Sequence, residues 1–100
     1  MTSDSESRQK VLSSPAQIAG AREYLGLNQA ELAVAAGVGR TTVVAFERGN
    51  RSAYESTRGK LQAALEARGI VFTNGDKPGF YFDREKATIK IPDERDRLRP

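Results

Sequence analysis

The stretch LNQAELAVAAGVGRTTVVAFERG, Leu27–Gly49, decides the fold. It is rich in helix formers, yet Gly37-Val38-Gly39 interrupts it near the middle. Asn28 followed three residues later by Glu31 forms a capping box, so a helix begins at Gln29. Leu32, Ala33 and Ala36 share its inner face. Gly37 accepts the left-handed backbone that ends a helix. A second helix is expected from about Arg40 to Arg48, with Val43 and Phe46 pointing inward and Gly49 closing it. Two short helices joined by a tight glycine-containing turn make a helix-turn-helix unit. The corner sets the second of the pair at a steep angle to the first. That helix is then free to project from the body into a DNA major groove.

Outward from this stretch, the same signals recur. Ser14-Pro15-Ala16-Gln17 reads as a capped helix start with proline at the first helical position. That helix runs to about Leu25, with Ile18, Ala21 and Leu25 on one face, and Gly26 stops it. Ser52-Ala53-Tyr54-Glu55 is a third capping box. The helix after it runs to about Arg68, with Tyr54, Thr57, Leu61, Ala64 and Leu65 at helical spacing. Gly59 lies inside it at a cost of about 1 kcal/mol against alanine; close packing is the expected reason. After Gly69 the pattern turns β-branched and aromatic. Ile70–Thr73 and Phe80–Phe82 flank Asn74–Gly79, a segment dense in turn residues, and together read as a hairpin. Ala87–Ile91 alternates at period two and suggests a third strand ended by Pro92.

The expected fold class is mainly α: a four-helix bundle containing a helix-turn-helix, with a small C-terminal hairpin or three-stranded meander. The expected divisions are a flexible arm over 1–13, the bundle over 14–69, a β extension over 70–91 and a charged tail over 92–100.

Composition narrows the function. The 100 residues contain no cysteine and no histidine, which excludes disulfides, Cys/His zinc sites and Cys–His or Ser–His nucleophilic catalysis. No gly-rich phosphate loop or paired carboxylates suggest an enzyme, and no cofactor is expected. No apolar run approaches the roughly 20 residues of a membrane span, and Met1–Ser14 lacks the apolar centre of a signal peptide. The cytoplasm is the expected compartment. The net charge is +3. Residues 40–68 hold six basic against three acidic side chains, whereas 1–39 hold three against four. The basic excess therefore begins at the corner, which suits a polyanion such as nucleic acid; an ordinary solvated charged face is the competing reading.

Leu27-Asn28-Gln29-Ala30-Glu31-Leu32-Ala33, then Ala36-Gly37-Val38 and Phe46-Glu47-Arg48-Gly49, resemble the Cro/phage-repressor type of helix-turn-helix protein, the xenobiotic-response-element family. The resemblance covers about residues 16–68. It implies a compact helical bundle that binds double-stranded operator DNA as a homodimer. By position it implies that Gln29 bonds a phosphate and braces the recognition helix. Gly39, Arg40, Thr41, Thr42, Val44 and Ala45 would line the exposed side of that helix, and Arg48, Asn50 and Arg51 would meet the backbone beyond it. Arg40 suits bidentate contact with guanine O6 and N7, or else a phosphate. Thr41 suits a base edge or a phosphate, and Thr42 a phosphate. Val44 and Ala45 suit apolar groups such as a thymine methyl, with burial of Val44 against the C-terminal strands as the alternative. Glu47 is expected to bond backbone near the helix end. Tyr24 and Tyr54 are expected at the edge of the core.

Two departures from the family stand out. Gly39 replaces the usual polar residue, and strands stand where a fifth helix is usual. The strands either build the dimer or cover the bundle. The leading expectation is a transcriptional repressor acting on a palindromic operator. The alternatives are an antitoxin that masks a toxin and represses its own operon, and an antiactivator that uses the same bundle to bind another regulator.

Overall fold

The computed structural model describes residues 13–50 and 54–89, the side chains of residues 54 and 55 excepted. Four helices precede a two-stranded antiparallel hairpin: α1 (Pro15–Tyr24), α2 (Gln29–Ala36), α3 (Arg40–Glu47), α4 (Tyr54–Glu66), β1 (Ile70–Thr73) and β2 (Gly79–Phe82). Both capping boxes expected at the first two helices form. Ser14 Oγ accepts from the Gln17 N–H at 3.2 Å while Gln17 Oε1 accepts from the Ser14 N–H at 2.9 Å. Asn28 Oδ1 and the Glu31 carboxylate exchange the corresponding bonds at 2.7 and 2.8 Å. Each box satisfies N–H groups that a helix start otherwise leaves orphaned. The Ser52 box lies outside the described residues.

The corner is built as its sequence dictates. Gly37 has φ 73° and ψ 33°, the left-handed region. Its N–H bonds Val34 O at 3.2 Å, and the Val38 N–H bonds Ala33 O at 3.0 Å. This pair of bonds closes the last turn of α2 and turns the chain sharply into α3. Leu32, Val43, Phe46, Ile18, Ala21, Leu61 and Leu65 form the centre of the core, with Ala33 beside them and Val38 packed at its edge. Every one of these was placed inward by helical spacing except Val38, which fills the gap at the corner.

The hairpin closes the open side of this core. Its register pairs Ile70 with Phe82, Val71 with Tyr81, Phe72 with Phe80 and Thr73 with Gly79. Ile70 and Phe72 are buried, and Phe80 and Phe82 pack against the same cluster. β1 rests on α4 and β2 on α1. Tyr24 edges the aromatic layer, 6.0 Å from Phe80 and 5.8 Å from Phe82 between ring centroids. Gly20 in α1 makes room for the layer: a Cβ there would stand 3.1 Å from the Phe80 ring. Gln17 fastens the far end. Its Nε2 donates to Thr73 O and to Gly79 O, both at 2.8 Å, at the mouth of the hairpin loop.

Four expectations need correction. Ala87–Ile89 is not a strand. The Asp83 side chain accepts from the Glu85 N–H and caps a short 3-10 turn, Arg84–Lys86, which takes the chain off the sheet edge. The Thr88 and Ile89 N–H groups then bond Ala67 O at 2.8 and 2.9 Å, and Ala87 is buried. Residues 90 and 91 lie outside the described residues. Gly59 is exposed, and a Cβ there would meet nothing within 4 Å, so close packing does not explain it. Ser13 is buried rather than part of a loose arm: its N–H and Oγ donate to Gln62 Oε1 at 3.1 and 2.9 Å. Glu47 bonds side chains, not backbone, as described next.

Candidate nucleic-acid interface

α3 divides into two faces. Val43 and Phe46 (spacing three) are fully buried and set its roll against the bundle. Arg40 and Thr41 in its first turn are exposed, and Thr42, Val44 and Ala45 are half-buried along its flank. α3 packs chiefly on α2, α4 and α1. Gly39 begins the helix in extended backbone, and no side chain caps it. The nearest atoms to a Cβ at Gly39 would be the hydroxyls of Thr42 and Thr41, at 3.9 and 4.0 Å. The first turn is therefore open. Arg48 and Asn50 are exposed beyond the far end of α3, and Arg51 lies outside the described residues.

Apart from Gln29, the described members of the expected set thus lie on one helix and at its two ends. Gln29 joins it by a direct bond. It is the first residue of α2 and half-buried, and its Nε2 donates to Glu47 Oε1 at 2.9 Å. This links the start of α2 to the last residue of α3. A glutamine amide has two N–H groups, so one remains for a further acceptor.

Glu47 has a second and stronger partner. Arg22 of α1 donates Nε to Glu47 Oε2 at 2.7 Å and Nη2 to Glu47 Oε1 at 3.0 Å, a bidentate pair. Its Nη1 donates to Leu27 O at 2.9 Å. The side chains of Arg22 and Glu47 are only 11% and 8% exposed. The hydrogen bonds that Arg22 donates to Glu47 raise the Arg22 pKa above its ordinary value, outweighing the burial that lowers it. Glu23 lies 3.6 Å away but is largely exposed, where an ion pair contributes little. Arg22 was missed in the sequence reading. Its signal was present: it stands four residues after Ile18, on the core-facing side, where an arginine needs a buried acid.

A two-helix corner closed by a left-handed glycine, with exposed residues on its second helix, basic groups at both ends of that helix and an acid-braced base, defines a helix-turn-helix DNA-binding domain. Residues 18–55 match the family model described as helix-turn-helix, of the Cro/phage-repressor type, and that segment is a domain of this kind, as DNA-binding transcription regulators carry. No curated relative matches the chain. Among the described residues no helix is long and apolar enough to cross a membrane.

Proposed function

We propose that this protein is a cytoplasmic, sequence-specific transcriptional repressor that binds a palindromic operator as a homodimer. It works as a binding protein without catalysis or cofactor. The observation that carries this reading is the division of α3: Val43 and Phe46 anchor one face, while Arg40 and Thr41 stand exposed at an uncapped helix start. An open helix N-terminus with a neighbouring arginine favours an anion or an acceptor-rich base edge. In this reading Arg40 reads a base, Thr41 and Thr42 flank it, and Val44 and Ala45 touch apolar groups. Gln29, Arg48, Asn50 and Arg51 meet the phosphate backbone. Two recognition helices of a symmetric dimer would lie about 34 Å apart, one turn of duplex. The outer face of the hairpin, where Val71 pairs with exposed Tyr81, is the surface we assign to the second copy.

The test is selection of bound duplexes from a random pool, with stoichiometry measured on the winner. A palindromic consensus bound by two chains is expected. Arg40→Ala then costs about 1–3 kcal/mol and relaxes preference at one position. An equal loss on every sequence would reassign Arg40 to phosphate.

A protein-interaction role, as antitoxin or antiactivator, has one observation in its favour. An open apolar groove runs along α2 between Leu27, Ala30, Val34 and Ala35, flanked by Glu31 and Arg68, and Val34 is 83% exposed. Co-purification with a small partner, together with failure to bind any duplex at low salt, would favour that role.

A further inference from the structure

We propose that Arg22 is a positioning residue for base recognition: it sets the pose of α3 on DNA without touching DNA. The inference rests on the DNA-binding reading above. Arg22 joins three pieces of the domain at one point. It belongs to α1, it holds the turn before α2 through Leu27 O, and it holds the end of α3 through both oxygens of Glu47. Its Nε, Nη1 and Nη2 are all engaged, and the residue is 9% exposed. A phosphate has no route to it without dismantling the clamp.

A planar guanidinium fork fixes direction as well as distance, which an ammonium does not. The fork therefore restrains both the roll and the tilt of α3 at its C-terminal end. Arg40 stands at the other end, about 10 Å away at 1.5 Å per residue. A pivot of about 10° at Glu47 would shift it by roughly 2 Å, more than the distance window of a hydrogen bond allows. There is also an electrostatic consequence. Glu47 shares one oxygen between Arg22 and Gln29. Neutralised by Arg22, Glu47 lets the Gln29 amide face an anion; left unpaired, it would repel one.

The experiment uses the full chain, the duplex obtained by selection and an unrelated duplex of equal length, each titrated over a range of salt. Wild type is compared with Arg22→Lys and Arg22→Gln, with the folded fraction measured by circular dichroism. If Arg22→Gln does not fold, Arg22→Lys and Glu47→Gln carry the test. The expected result for Arg22→Lys, which keeps a positive charge beside Glu47, is a loss of tenfold or more on the selected duplex, with affinity for the unrelated duplex and the slope of log K against log salt unchanged; Arg22→Gln, which leaves Glu47 unpaired, adds a smaller loss on both duplexes. Two results overturn the proposal. One is folded variants that keep the wild-type preference between duplexes. The other is an equal loss on both duplexes with the slope reduced by about one, which would make Arg22 a phosphate contact. Wild type that binds neither duplex at low salt would instead remove the DNA-binding reading itself, and the proposal with it.

Discussion

The corner between α2 and α3 and the seat of the hairpin are both turning points held by glycine, but they are held by different information. At the corner everything needed is within ten residues: a capping box, an inward Leu32-Ala33, a left-handed Gly37 and a plugging Val38. A Cβ on Gly37 would meet nothing within 4 Å, so only its backbone angle matters. At the hairpin seat Gly69 has φ 101°, and a Cβ there would stand 2.8 Å from the Phe82 ring and 2.9 Å from Asp83 O. The seat depends on parts of the chain brought together only by folding. Gln17 makes the same point, since the residue that caps α1 also ties down strands more than fifty positions later.

The largest expected effect breaks this comparison at the seat. Gly69→Ala should cost about 2–4 kcal/mol, because left-handed strain and a clash with backbone combine. Urea denaturation followed by circular dichroism measures it. Gly37→Ala should cost only about 1–2 kcal/mol, the left-handed penalty alone. Equal losses at the two glycines would mean that space at Gly69 is easily made, and the distinction between the turning points would fall.

Gln17→Leu comes next, at about 1–3 kcal/mol, since it removes bonds to Thr73 O and Gly79 O and leaves the capping box half-made. Its signature is regional. Amide exchange should speed up across β1 and β2 while the amides of α2 and α3 keep their protection. Uniform loosening would show the hairpin and the helical pair to be one cooperative unit.

This contrast also explains what could be read from sequence and what could not. All four helices, the corner and the hairpin were legible because each rests on local signals: capping boxes at Ser14 and Asn28, spacing of Leu61 and Leu65, and β-branched and aromatic residues from Ile70. Of the side of α3 that the family resemblance implied to be exposed, Gly39, Arg40 and Thr41 are exposed, whereas Thr42, Val44 and Ala45 are half-buried. The clamp at Glu47 was not legible, because its best partner lies twenty-five positions earlier on another helix. The third strand was misread because Ala87–Ile91 has the right alternation, but Asp83 caps a 3-10 turn first and so redirects the chain. Period-two patterning marks what a segment is able to do, and a competing local bond decided against it. Gly59 was misread in the opposite direction, by seeking a contact where none exists.

Gly59 gives the smallest expected effect and tests what the two regions share. α4 packs against α1, α2, α3 and β1, so it is the common support for the corner and the seat alike. At position 59 the backbone is helical and the site is exposed, with open space where a Cβ would go. Gly59→Ala should therefore stabilise the protein by about 1 kcal/mol, mainly by restricting the unfolded chain and favouring helix. The denaturation midpoint should rise with the slope unchanged. Protection should rise together in α2, α3 and the hairpin, because each loses its support when α4 unfolds. A gain confined to the hairpin would show that the helical pair stands without α4. The long-range bonds at Glu47 would then carry more of its stability than the core beneath it.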